Sequence, residues 1–390
     1  MSRTLSSRPV AAGVVGCLAF LLIGWSGLVV PSLIRSVKDA YDQSDAGIGL
    51  YYLVYAIFYA TGSFAGGLAT ERLGRRTVLV AGAVLLGVGV VTLGIAPTWA
   101  VFLVAAVPAG LGSGTIDGGA NGLILDLYVE GRGRALNLLH LFFSLGALTA
   151  PVTIGLLVEN GIGHEAIIIG TGLAAFPVAA LFALVAMPGG RRDRADAEAS
   201  GAGRIALQVP LIILGLAIGL YVASEVGVSS WLVRFLEPAP LTTATTALSL
   251  YWGGLAVGRL LSSALADRFD HRRFATACAV AMAVALVGAI FIPSLPVSIA
   301  FFALAGIASG PIYPMIIAIG GDRYPGRSAA VSGFLGGTAV VGSIVYPPVM
   351  GLLSVTVGLV VAMAGNIVLA IACAVALVLV RGVRSAPAGG

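Results

Sequence analysis

Ionic side chains are what this sequence has least of. Only 10% of its 390 residues are Asp, Glu, Lys or Arg, against 58% apolar, where a water-soluble domain carries about 25% charged residues. So sparse a set cannot cover a surface that faces water, which leaves an exterior that meets hydrocarbon. Cysteine is nearly absent as well. Cys17, Cys278 and Cys373 lie inside apolar runs, without the spacing of a metal site or a disulfide framework, and read as small packing residues. There is no G-x-x-x-x-G-K-[ST] phosphate loop and no polar stretch that could house a nucleotide-binding domain, which argues against ATP-driven work. No nucleophile–base set and no ligand cluster stands out, so neither enzymatic chemistry, nor a metal, nor a cofactor is expected.

What is present is a series of long apolar runs. Twelve can be placed, near residues 10–34, 47–70, 77–96, 99–125, 135–159, 165–187, 207–235, 242–266, 274–293, 295–320, 328–355 and 358–380. Each is long enough to cross ~30 Å of hydrocarbon as a helix. Helices are required because a backbone in lipid must satisfy its own hydrogen bonds, and no barrel-like alternation is visible. The first run follows Arg3 and Arg8 but is too long for a signal-peptide core and lacks a small-residue cleavage site. It reads as a retained first helix. The expected fold class is an all-α membrane protein of twelve transmembrane helices.

Charge sets the orientation. With both termini inside, the inner side collects Arg3, Arg8, Arg72, Arg75, Arg76, Arg132, Arg134, Arg191, Arg192, Arg194, Arg204, Arg268, Arg272, Arg273, Arg323, Arg327, Arg381 and Arg384, which is 18 of the 22 basic residues. Arg35, Lys38 and Arg234 fall outside, and Arg259 falls within a helix. A bias this strong supports an even helix count. The expectation is a multi-pass protein of the cell (inner or plasma) membrane with cytoplasmic termini. The net charge of +5 is then a topology signature, and no nucleic-acid partner is invoked.

The chain is one pattern written twice. Gly67-Leu-Ala-Thr-Glu71-Arg72-Leu-Gly74-Arg75-Arg76 follows the second helix, and Ser263-Ala-Leu-Ala-Asp267-Arg268-Phe-Asp270-His271-Arg272 follows the eighth, 196 residues later. At the same offset Tyr55 matches Tyr251, Gly110 matches Gly306, Ser113 matches Ser309, Gly114 matches Gly310, Asp126 matches Asp322 and Tyr128 matches Tyr324. Six helices per copy give both copies one orientation, so the repeats are parallel. The expected organisation is an N-terminal six-helix bundle over 1–188, a polar glycine-rich linker over 189–206, and a C-terminal six-helix bundle over 207–390. Two bundles on such a tether can rock, which alternating access around a central site requires.

The loop pattern G-x-x-x-[D/E]-R-x-G-R-R resembles the hallmark loop of the major facilitator superfamily, with Glu71 where that family has Asp. The resemblance implies the major facilitator fold. It also implies that Glu71, Arg72, Arg75 and Arg76 form a cytoplasmic latch between bundles, with Asp267, Arg268 and Arg272 as its second copy. As residues alone, the same groups are ordinary positive-inside anchors.

Charges at bilayer depth cost several kcal/mol, with contested values from ~3 upward, and mark function by default. Asp117 lies inside helix four, about nine residues or ~13 Å from its cytoplasmic end, with Asn121 on the same face. Glu225 lies inside helix seven one turn after Tyr221, Arg259 inside helix eight, and His140 inside helix five, three residues after Asn137. A carboxylate in a dry interior prefers its neutral form, while a nearby cation favours the charged one. Asp117 is therefore the expected carrier of a coupling proton. The alternative is a carboxylate permanently paired with Arg259 or His140. Glu225 and Arg259 join it as candidate coupling residues, and Arg259 forms either a fixed salt bridge or a contact of one access state.

The stretches Gly110–Asn121, Arg134–Ala147 and Tyr221–Trp231 are similar to helices four, five and seven of the fucose-type sugar:proton symporters and related glucose carriers in that superfamily. Helix one departs from them: Gly24-Trp25-Ser26-Gly27 has no carboxylate. A sugar site needs amides, carboxylates and imidazoles for hydroxyls and aromatic faces for the ring. Candidates are Trp25, Asn121, Asn137, His140, Tyr221, Glu225, Trp252, Tyr313 and Asn366. Each aromatic has packing as its alternative, His140 has lining a gate, and Asn366 has bridging between helices.

The expected function is proton-coupled secondary transport by alternating access, importing a sugar or similar polar solute as a monomer, with sodium as the other candidate ion. The rival is a drug or metabolite efflux antiporter, because Gly146-Ala-Leu-Thr-Ala150-Pro151 weakly resembles an exporter motif. A receptor or membrane-embedded enzyme is the remote alternative.

Overall fold

The fold follows from the requirement that every backbone polar group in lipid be bonded within its own segment. A computed structural model of the chain describes residues 7–128, 132–187, 208–265, 268–324 and 328–380. Among them there are fifteen α-helices and no strand. The first six spans are built from α1 (Ser7–Ser32), α3 (Asp45–Leu73), α4 (Arg75–Gly94), α5 (Trp99–Leu127), α6 (Arg132–Glu159) and the pair α7 (His164–Leu173) and α8 (Ala175–Leu184). A short α2 (Ile34–Tyr41) follows α1. The second six are α9 (Val209–Phe235), α10 (Leu241–Leu265), α11 (His271–Phe291), the pair α12 (Leu295–Ser309) and α13 (Ile312–Arg323), α14 (Ser328–Thr356) and α15 (Leu359–Leu379). Eleven of these spans are long and apolar enough to cross a membrane among the described residues. The twelfth, α10, is 25 residues long but is diluted by Arg259 and by four threonines between 242 and 246.

Three local features depart from the twelve simple runs. The stretch after the first run is helical: α2 is amphipathic, with Ile34 and Val37 buried, Lys38 paired with Asp45 and the Tyr41 hydroxyl donating to the Ala96 carbonyl at 2.7 Å. The sixth span breaks at Ala174, where Pro177 has no N–H for the carbonyl of Leu173. The tenth breaks at Gly310–Pro311, where Pro311 and Pro314 remove the helical donors to the carbonyls of Ile307 and Gly310.

The chain divides into two compact units, residues 1–192 with 240–249, and 193–239 with 250–390. The expected linker over 189–206 lies outside the described residues. In the first unit α1 packs on α6, α5 lies between α3 and α4, and α4 meets α7 and α8. In the second, α9 packs on α14, α11 meets α12 and α13, and α11 also meets α15. At the 196-residue offset the α1–α6 contact corresponds to α9–α14, and those of α4 with α5, α7 and α8 correspond to those of α11 with α12, α13 and α15.

The duplication is legible at atomic level. A Cβ on Gly110 would stand 2.5 Å from the carbonyl oxygen of Tyr55, and one on Gly306 would stand 2.1 Å from that of Tyr251. One turn on, Gly114 meets the Tyr59 carbonyl and Gly310 the Leu255 carbonyl, at 1.9 and 2.4 Å. Each glycine lets its helix approach another backbone to backbone. Tyr55 donates to the Ser113 hydroxyl at 2.8 Å, and Tyr251 and Ser309, at the same offset, also interact through their hydroxyls. Side chains on the outer faces, such as Phe64 at 77% and Val368 at 65% exposure, are those that hydrocarbon would cover. The three cysteines are free thiols.

Candidate functional site

In the first unit the polar cluster is built on α5 against α3. Asp117 and Asn121 are one turn apart, so both side chains point to one face. The Asn121 amide donates to the Asp117 carboxylate Oδ1 at 3.1 Å and to the Asp117 carbonyl at 3.0 Å. From α3, the Ser63 hydroxyl donates to Oδ2 at 3.2 Å, and the Tyr59 hydroxyl also bonds the carboxylate. All of these donors are neutral. No ion pair to Asp117 occurs among the described residues, and the carboxylate is only half-buried. It is a carboxyl group inside a membrane-length helix, bonded by hydroxyls and an amide and partly exposed.

The other candidates of this unit are spread out. Trp25 is half-buried, its indole N–H donating to the Thr171 hydroxyl at 3.1 Å, which ties α1 to α7. His140 is exposed on α6 and stands edge-on to Phe20 with ring centres 5.3 Å apart. Asn137, one turn earlier, is exposed too.

In the second unit the cluster is built on α9 against α10. The Tyr221 hydroxyl donates to the Glu225 carboxylate, an i, i+4 pair on one helix face. Arg259 on α10 interacts electrostatically with Glu225, Tyr221 and Tyr251. Tyr251 also reaches the Glu225 carbonyl at 3.4 Å. Glu225, Tyr221 and Tyr251 are buried, while Arg259 is half-buried. Trp252 is buried nearby, its indole N–H donating to the Ser229 hydroxyl at 2.9 Å. Tyr313 on α13 is half-buried.

Asn366 is fully buried. Its amide donates to the Met363 carbonyl at 3.0 Å, and its own carbonyl accepts from Ser224 at 3.1 Å. Its side-chain oxygen has no hydrogen-bond partner. The residue thus ties α15 to α9, the helix-bridging arrangement.

At the arginine-rich ends of the helices, Gly74 closes α3 and opens α4 with φ +79, a conformation that glycine alone adopts without strain. Arg75 is buried and ion-paired with Asp126 on α5. Arg76 donates to the Val185 carbonyl at 3.0 Å, and Arg72 is exposed. The Glu71 side chain and Asp267 lie outside the described residues. Arg268 is exposed and Arg272 half-exposed. His271 bonds Asp322 at 2.9 Å. Since 75 and 271, and 126 and 322, each differ by 196, this is the Arg75–Asp126 pair repeated.

Several partners escape a reading of motifs: Ser63 and Tyr59 beside Asp117, Tyr251 beside Glu225, and the Asp126 and His271–Asp322 pairings. The constant offset is the signal that could have found the last, because it carries Arg75 onto His271.

A family model for the Major Facilitator Superfamily matches residues 14–237 and 212–390. The chain is 23% identical over 363 residues to a glucose/galactose transporter of Brucella abortus, covering 88% of this chain and 87% of that one. Its structure is similar to that of a bacterial homolog of the human lysosomal transporter Spinster, with TM-score 0.83 and 16% identity over 98% of this chain and 100% of that one. It is similar as well to the Escherichia coli fucose:proton symporter, with TM-score 0.65 and 19% identity over 96% of this chain and 99% of that one.

Proposed function

This chain belongs to the major facilitator superfamily, and from that premise we propose that it imports a sugar or similar polyhydroxylated solute, driven by a proton that Asp117 carries. One observation carries the reading. The Asp117 carboxylate is half-buried at membrane depth and held by Ser63, Asn121 and Tyr59 alone. Hydroxyl and amide donors steady a carboxylate without fixing its charge, whereas a bound cation would hold it ionised. A proton is the partner that can come and go. Protonation from outside would favour loading, and rocking of the two bundles would release proton and solute inside.

Glu225 plays a different part in this reading. With Arg259 beside it it keeps a counterion through the cycle, and with Tyr221 and Trp252 it offers the hydroxyl acceptors and aromatic faces that a polyol needs. The names of the Brucella and Escherichia proteins, a glucose/galactose transporter and a fucose:proton symporter, agree with that solute class. The charge bias supports cytoplasmic termini in a cell or plasma membrane, and the loop resemblance supports a latch role for Glu71, Asp267 and the arginines beside them.

The test uses proteoliposomes. Labelled hexoses should exchange by counterflow without any gradient and accumulate when the exterior is made acid. Asp117→Asn should abolish accumulation and leave counterflow. Accumulation by that variant at the wild-type level, or hydrophobic-cation exchange with no sugar flux, overturns the reading in favour of another coupling group or of an efflux antiporter.

A further inference from the structure

The second unit carries a groove that the transport reading does not use. It lies between α11 and α15 and encloses about 440 Å³. Thr276, Val280, Val284 and Val287 form one wall, and Ile371 and Val375 belong to the other. The α11 residues recur at helical spacing, so they form one continuous stripe. The lining is apolar except for Thr276, whose hydroxyl is already donated to the Arg272 carbonyl at 2.8 Å. Val284 is 62% exposed, so the groove opens outward from its unit.

Length and charge identify the occupant. From Thr276 to Val287 is eleven residues, or ~16 Å of helix, about half of a ~30 Å hydrocarbon core. That is the depth of one leaflet. The stripe runs directly into Arg272 and Arg273, one turn before Thr276 at the arginine-rich end of α11. Neither guanidinium has an ion-pair partner among the described residues. The nearby acids are engaged elsewhere: Asp270 accepts the Arg273 backbone N–H at 2.8 Å, and Asp322 holds His271 at 2.9 Å. Arg268 is exposed just before them.

We propose that this groove is a binding site for one anionic phospholipid of the cytoplasmic leaflet, an acyl chain lying along α11 and α15 and the phosphate on Arg272 and Arg273. Basic pockets between helices at the cytoplasmic face recognise such head groups. A second copy of the chain is the poorer fit. A two-fold contact here would face groove with groove and bring both arginine pairs together, a like-charge juxtaposition.

Native mass spectrometry of the full chain in detergent, with phosphatidylglycerol and phosphatidylcholine added in equal amounts, tests the site. At ~1 kcal/mol per arginine, phosphatidylglycerol should be retained about 30-fold over phosphatidylcholine. R272Q/R273Q should bring the ratio near one, and R272K/R273K should keep most of it. Val284→Trp, which fills an outward-facing part of the groove, should lower retention of both lipids. Equal retention by the wild type, or an unchanged ratio in R272Q/R273Q, overturns the proposal. So do disulfide-linked dimers formed in membranes by Val284→Cys, which would mean that a second copy fills the groove.

Discussion

The two copies of the repeat share their scaffold and differ in their charges. Where α3 crosses α5, Gly110 and Gly114 press on the carbonyls of Tyr55 and Tyr59, and where α10 crosses α12, Gly306 and Gly310 press on those of Tyr251 and Leu255. One turn further along, the correspondence of residue type ends. Ser63 and Asp117 bond each other. The positions 196 residues on are Arg259 and Tyr313, and the acid that Arg259 meets comes from α9 as Glu225. One copy therefore holds an acid among neutral donors and the other holds an acid beside a cation. Close backbone packing tolerates no side chain, so it is kept in both copies. The ionic groups rest on that frame and are free to take different work.

The comparison can be broken or sharpened by paired substitutions. Glu225→Gln should lower apparent stability in detergent by more than about 1 kcal/mol, because it removes the charged acceptor of Tyr221 and the carboxylate that interacts with Arg259. Asp117→Asn should cost less than about 1 kcal/mol, since the amide oxygen can still accept from Ser63 and no cation is stranded. Equal losses by thermal unfolding would erase the distinction. The shared frame gives the next effect: Gly110→Val and Gly306→Val should each cost about 2–3 kcal/mol by forcing two backbones apart. A cost in one copy only would mean that the crossing is not equivalent in the two.

The arginine-rich turns differ in a smaller way. Gly74→Ala should cost about 2 kcal/mol for the strained backbone at φ +79. Its counterpart Asp270 has φ −59 and caps α11 with its side chain, so Asp270→Ala should cost about 1 kcal/mol. Arg75→Gln should cost about 1.5 kcal/mol by opening a bridge whose arginine is buried. His271→Gln, opening a bridge to an Asp322 that is 70% exposed, should cost under about 0.5 kcal/mol. Chemical denaturation of the four purified variants, each against wild type, measures both contrasts.

Much of the fold was legible because hydrocarbon imposes a coarse rule: twelve runs of sufficient length had to be twelve spans, and a constant offset had to be a duplication. What escaped depends on finer balances. The α2 helix joins alternating charged and apolar residues at an edge, where no long run announces it. The breaks at Ala174 and Gly310 come with Pro177 and with Pro311 and Pro314, inside runs that stay apolar throughout. At the candidate site, Asp117 with Asn121 and Tyr221 with Glu225 followed from one-turn spacing within a helix. Ser63, Tyr59 and Tyr251 did not, because their meetings depend on which face one helix turns to another. The electrostatic influence of Arg259 on Glu225 was hidden for the same reason.

The missing donors at Pro311 and Pro314 bear on how the tenth span behaves under load. A continuous helix resists bending because its rungs must stretch or snap. Here the rungs to Ile307 and Gly310 were never made, so this span has fewer bonds to strain when it bends at Gly310. Its counterpart α5 runs unbroken from Trp99 to Leu127, with a single proline at Pro108. Of two levers cut from one template, one is rigid and the other carries a joint.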